Sequence, residues 1–131
     1  MKINTICIID DDPIFVFGSK ILLRNNNFAS DFLVCQNGQE ALDVITPLIE
    51  SEEGLPELIF LDLNMPIMDG WEFLDEFAKL PLEKNIRLYI LSSSVDSRDI
   101  ERAKKYGTVN GFIVKPLTDA KIKELAQEID G

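Results

Sequence analysis

Four short apolar runs, far apart in the chain, each end on polar or charged residues. Ile6–Ile9 runs into Asp10-Asp11-Asp12, Leu58–Leu61 into Asp62, Leu88–Leu91 into Ser92-Ser93, and Phe112–Val114 into Lys115-Pro116. A short continuous apolar run reads as a strand buried on both faces, which is the pattern of a parallel sheet. In open sheets of that kind ligands bind outside the carboxyl ends of the strands, where the strand order reverses. The pattern therefore gathers carboxylates, a hydroxyl and an ammonium at one sheet edge. That edge is the expected functional site.

Helical patterns fill the intervals. Asp12-Pro13 is a helix start, with Asp as N-cap and Pro at the first helical position, where its missing N–H costs nothing. Ile14, Phe17, Ile21 and Leu22 then recur at helical spacing as far as Asn25-Asn26-Asn27. Phe32–Cys35 reads as a second short strand, and Asn37-Gly38 turns the chain into a helix with Ala41, Leu42, Ile45 and Ile49 apolar. Glu50 to Glu57 reads as a charged loop. Trp71, Phe73, Leu74 and Phe77 mark a third helix, and Leu80 to Asn85 the next connection. Asp96 or Ser97 caps a fourth helix that ends at Tyr106-Gly107, and Thr118 opens a last one with Ile122, Leu125 and Ile129 toward the core. Strict alternation of strand and helix predicts a doubly wound α/β fold.

At 131 residues the chain is long enough for one domain with its own core. No apolar stretch approaches the ~20 residues of a membrane span, and the start has no signal-peptide layout. Cys7 and Cys35 sit among apolar neighbours in expected strands, as small core side chains of a reducing compartment do. The cytoplasm is the expected location. A formal net charge of −10 argues against nucleic acid as a direct partner. Basic residues nevertheless cluster late in the chain: Arg98, Arg102, Lys104, Lys105, Lys115, Lys121 and Lys123. They form either solvated helix faces or a docking face.

The strand ends suggest chemistry. Capping uses one carboxylate, and Asp12 supplies it, which leaves Asp10 and Asp11 for another purpose. If strands one and three are neighbours, Asp62 enters the same space. Carboxylates so crowded repel one another unless a cation sits among them, and Mg²⁺ with its preference for oxygen ligands suits that position. Lys115 is a compact charge suited to phosphate, and Ser92 adds a hydroxyl. Taken together these groups make a place for a phosphoryl group. Its acceptor is a carboxylate, because the chain contains no histidine and no well-placed thiol.

These residues resemble the receiver domain of two-component response regulators, from Ile3 to about Ile129. The matching motifs are Asp10-Asp11, Leu61-Asp62-Leu63-Asn64-Met65-Pro66, Met68-Asp69-Gly70, Ser92-Ser93 and Gly111-Phe112-Ile113-Val114-Lys115-Pro116. The resemblance implies a (βα)5 flavodoxin-like three-layer sandwich with a parallel sheet of strand order 2-1-3-4-5. It implies that Asp62 is the phosphoacceptor and that Asp11, Asp62 and the backbone carbonyl of Asn64 bind Mg²⁺, with Asp10 assisting through water. Lys115 would contact the phosphoryl group, Ser92 would be the switch hydroxyl and Phe112 the switch aromatic. A cis bond at Lys115-Pro116 is a further implied feature. Ser at 92, where Thr is commoner, and Ser at 93, often Ala, are mild departures.

The expected function is that of a single receiver domain over residues 1–131, with no output domain. It would be a signalling protein rather than an enzyme with a separate substrate. Its partners would be a histidine kinase or histidine phosphotransfer protein and a downstream protein, or a second copy, at helix four, strand five and helix five. The rival from another class is a haloacid-dehalogenase-type Mg-dependent phosphatase with Asp10 as nucleophile, since Asp10-Asp11-Asp12 and Leu91-Ser92 fit two of its motifs. That family needs a further acidic pair well after its lysine, and only Pro116 to Gly131 follows Lys115. It also leaves Asp62 and Met65-Pro66 without a role.

Overall fold

Strand and helix alternate from end to end in the computed structural model, which describes residues 3–51, 53–82, 85–93 and 96–130. The elements are β1 Ile3–Ile9, α1 Pro13–Asn25, β2 Ala29–Cys35, α2 Gly38–Ser51, β3 Leu58–Asp62, α3 Gly70–Phe77, β4 Arg87–Ser92, α4 Ser97–Ala103, β5 Gly111–Val114 and α5 Asp119–Asp130. Parts of the expected connections, at Glu52 and at Glu83-Lys84, lie outside the described residues. The strands are parallel in the order β2-β1-β3-β4-β5, so strand order reverses between β1 and β3.

The near-continuous apolar strands bury side chains on both faces, because adjacent strand residues point to opposite sides. Ile6 and Ile8, Leu58 and Phe60, and Tyr89 and Leu91 pack with Val16 and Leu23 of α1 and Ile122, Leu125 and Ile129 of α5. Cys7 and Ile9, Ile59 and Leu61, and Leu88 and Ile90 pack instead with Ala41 and Ile45 of α2, Phe73, Leu74 and Phe77 of α3, and Ala103 of α4. Two apolar layers thus sandwich one sheet. Cys7 and Cys35 are both free and buried, as their neighbours implied.

Local signals set the helix ends. The Asp12 side chain accepts hydrogen bonds from the backbone N–H groups of Ile14 and Phe15. At the other end of α1, Phe28 N–H donates to Leu23 and Asn27 N–H to Arg24, with Asn27 in the left-handed region at φ 53°. This is a Schellman stop, and Phe28 and Leu23 are both buried in the same layer. Asp69 and Glu72 form a reciprocal capping box at the start of α3. Asp96, not Ser97, caps α4.

Three expectations need correction. The apolar stripe of α1 splits: Leu22 packs half-buried against the core, but Ile14 is 83% exposed, Phe17 68% and Ile21 41%, while Val16, Ser19 and Leu23 are buried. The helix phase is set by the stop that buries Leu23, and at 3.6 residues per turn Ile14, Phe17 and Ile21 then fall on the far side. β5 is not buried on both faces. It is an edge strand, half-buried from Gly111 to Ile113 and exposed at Val114. α4 ends at Ala103, short of Tyr106, whose ring stacks on Trp71 of α3 and whose hydroxyl donates to Asp75.

Candidate functional site

Asp10 follows β1, and Asp62 closes β3, the next strand. Both are buried, whereas Asp11 is exposed. Oxygens of the three carboxylates Asp10, Asp11 and Asp62 lie within 4.8 Å of one another. Lys115, just past β5, reaches back into this cluster: its Nζ is 2.7 Å from Asp10 Oδ2 and 3.7 Å from Asp62 Oδ1. The expected convergence of Asp10, Asp11, Asp62 and Lys115 is therefore present.

The two buried acids differ in how much of them is available. Asp10 Oδ1 accepts a hydrogen bond from Asp12 N–H at 2.9 Å, and Oδ2 lies against Lys115. That second contact is a close ion pair made by an oxygen that is itself buried. The Asp62 side chain keeps about a tenth of its surface open, against 1% for Asp10. Burial and the charge of Asp10 push the Asp62 carboxyl above its ordinary value. Lys115 and a hydrogen bond from Asn64 N–H oppose that shift, and Asp11 adds to it. Desolvation and like charge thus make the ionised form of Asp62 costly. Added positive charge would relieve that repulsion. Three carboxylates, each offering a hard oxygen ligand within 4.8 Å of the others, fit a divalent cation such as Mg²⁺.

Other residues complete the rim. Ser92 ends β4 and is buried; its register partner is Val114, and Asp62 pairs with the preceding Leu91. The Lys115 N–H donates to the Ser92 carbonyl, and Lys115-Pro116 is cis, as implied. Phe112 lies half-buried against the α2–α3–α4 layer, the layer that Ile90 of β4 also faces. Asn64 is exposed two residues beyond Asp62. Gly70 must be glycine: a Cβ there would lie 2.7 Å from the Asp62 carbonyl oxygen and 2.8 Å from Leu63 Cα. That close approach seats the start of α3 directly beneath the acid cluster.

Two rim residues went unread in the sequence. Phe15 places its ring 4.3 Å from Lys115 Nζ. Its one sequence signal is its place three residues after the Asp12 cap. Ile67, 81% exposed, sits at φ 67°, a conformation that strains a β-branched residue. Beside the carboxylates lies a cavity of about 260 Å³, lined by Asp10, Asp11, Pro13, Phe17, Lys20 and Val34 among others. The basic residues late in the chain disperse. Lys115 points into the cleft and Lys121 Nζ donates to the Val114 and Pro116 carbonyls. Arg98 and Lys104 pair with Asp96 and Glu101, and Arg102 stacks on Trp71 at 4.4 Å.

Residues 6–127 match the family model of the response regulator receiver domain. The chain belongs to that family. It is 35% identical over 116 residues to the nitrate/nitrite response regulator protein NarL of Escherichia coli K12, a match covering 86% of this chain and 48% of NarL. It is 29% identical to sporulation initiation phosphotransferase F of Bacillus subtilis 168, covering 98% of this chain and 94% of that one. The crystal structure of a two-component response regulator from Cytophaga hutchinsonii superposes with a TM-score of 0.87 at 28% identity, covering 98% of each chain. The chain spans 48% and 60% of the length of two curated relatives that it matches, NarL among them. It is a receiver domain of two-component signal transduction, with the flavodoxin-like strand order of its family. The phosphatase reading finds no support, and in the structure both oxygens of its would-be nucleophile, Asp10, are engaged by Asp12 N–H and Lys115.

Proposed function

We propose that Asp62 accepts a phosphoryl group from a phosphohistidine on a histidine kinase or histidine phosphotransfer protein, and that the aspartyl phosphate switches a protein-binding surface. The observation that carries this reading is the asymmetry of the two buried acids. Asp10 is enclosed and engaged at both oxygens, while Asp62 remains open beside the same ammonium. An Asp62 oxygen attacks phosphorus in line. The new O–P bond forms as the P–N bond to the donor imidazole breaks, and the electron pair stays on the imidazole nitrogen. Lys115 moves its charge toward the transferring group, and Ser92 offers its hydroxyl to a phosphoryl oxygen. Asp10, Asp11, Asp62 and the Asn64 carbonyl would hold Mg²⁺, which supplies positive charge beside the transferring group when bound.

A protein donor suits the surroundings. Phe17 lines the cavity beside the carboxylates, and it is large, apolar and exposed, as are Ile14 on the same helix and Ile67 on the loop that follows Asp62. Exposed apolar residues grouped beside a site favour a macromolecular partner over a small phosphate donor. For the output, Ser92 and Phe112 come from neighbouring strands, β4 and β5, and lie two residues apart in register. Ser92 drawn toward the phosphoryl group would leave space for Phe112 to turn inward and shift the face of α4, β5 and α5 between two states. The downstream protein, or a second copy of this chain, would bind there. Free buried thiols at Cys7 and Cys35 suit a cytoplasmic location.

Phosphoramidate with Mg²⁺ should add one phosphoryl group to the protein, read as intact mass, and none to Asp62→Asn. Full labelling of Asp62→Asn with loss in Asp10→Asn would overturn the assignment. Capture of a partner by the protein bearing a stable phosphoryl mimic, but not by the unphosphorylated form, would identify the output.

A further inference from the structure

Lys115 is enclosed on three sides. Asp10 Oδ2 lies 2.7 Å from its Nζ, Asp62 Oδ1 3.7 Å, and the centre of the Phe15 ring 4.3 Å. Phe15 is itself held from the acid cluster. Asp10 Oδ1 accepts from Asp12 N–H, Asp12 Oδ1 accepts from Phe15 N–H, and the Phe15 ring meets the ammonium that returns to Asp10. The four residues close a circuit at the first turn of α1. The ring packs half-buried against the α1–α5 layer, so swinging away would cost it those contacts.

The consequence follows from what a ring face does to a cation. A carboxylate in that position would draw the ammonium into a directed hydrogen bond and compete with Asp62. An aromatic face attracts the charge through its quadrupole, without a directed bond. The ammonium can then slide from Asp10 toward Asp62 while staying inside the cleft. We infer that Phe15 is a positioning residue for phosphoryl transfer, acting through Lys115. The inference rests on the reading of Asp62 as acceptor and adds a residue to it.

The test replaces Phe15 with mono-, di- and trifluorophenylalanine, which weaken the quadrupole in steps while nearly keeping the shape. Initial rates of Asp62 phosphorylation by phosphoramidate with Mg²⁺ should fall progressively, by about three- to tenfold across the series. In a Lys115→Ala background, where the rate starts lower, the same series should be flat, as a double-mutant cycle requires. A flat series in the native background, or equal slopes in both, would overturn the inference. Failure of the unmodified protein to take up phosphate would instead overturn the reading of Asp62. The placement has its own readout: Lys115 Hε resonances should lie upfield in the unphosphorylated protein and move back in Phe15→Leu. Unshifted Hε resonances in the native protein would also overturn it.

Discussion

The acid cleft and the face formed by α4, β5 and α5 belong to one sheet but are built differently. The cleft rests on β1 and β3, whose apolar runs Ile6–Ile9 and Leu58–Leu61 are 0% exposed, and its groups are pinned by ion pairs and caps. In the neighbouring face α5 is anchored by Ile122, Leu125 and Ile129, but the edge strand β5 has no fully buried residue and the seven-residue α4 buries only Ala103. A phosphoacceptor needs the first kind of support, because charge must stay where it is placed. A surface that changes shape needs the second, since the segments that move are drawn from the lightly buried end of a fold.

Truncation should expose that contrast most strongly. Ile8→Ala in β1 should cost about 2 to 5 kcal/mol, whereas Val114→Ala at the β5 edge should stay within about 0.5 kcal/mol. Chemical denaturation measures both, and similar costs would erase the distinction. Mg²⁺ comes next. At a hundred times its dissociation constant it should stabilise the protein by about 2.7 kcal/mol, and Asp11→Ala should remove most of that gain. An undiminished rise in melting temperature in the variant would take Asp11 out of the ligand set.

The pH dependence of the metal-free protein sharpens the same point. The folded state holds the Asp62 proton at pH values where the unfolded chain has released it, because the carboxyl lies above its ordinary 3.8 in the fold. Stability contributed by this group is therefore lost as pH rises through that window. Asp62→Asn should be more stable than the native protein at neutral pH, and the difference should vanish below the ordinary carboxylate range. A difference that does not change with pH would contradict the strain assigned to Asp62.

Smaller effects are expected at the rim. Ile67→Gly relieves left-handed strain of about 1 to 3 kcal/mol but adds unfolded-chain freedom worth about 0.4 to 1 kcal/mol, so stability should rise by about 1 kcal/mol, while transfer from a protein donor slows more than from phosphoramidate. Arg102→Glu with Lys105→Glu should weaken a phosphorylation-dependent partner only a few-fold, with the loss shrinking in high salt. Binding that ignores both salt and substitution would reduce these residues to a solvated helix face.

Much of this was legible in the sequence because the central strands are continuous apolar runs, whose ends mark where β1, β3, β4 and β5 stop. Asp10, Asp62, Ser92 and Lys115 could be brought to one edge from that alone. The α1 stripe misled because Ile14, Phe17 and Ile21 repeat at helical spacing as a core face would. The side that packs was chosen by the Asn27 stop burying Leu23, a tertiary event that periodicity does not encode. Phe15 was hidden for a similar reason. Its contact with Lys115 joins residues one hundred positions apart.

The claim that Asp62 is the acceptor can be read at the bond itself. Borohydride reduces an aspartyl phosphate to homoserine, so the phosphorylated protein can be trapped, digested and sequenced by mass spectrometry. Homoserine at position 62, dependent on Mg²⁺ and on Lys115, is the expected result. Homoserine at position 10 or 11, with Asp62 intact, would contradict it.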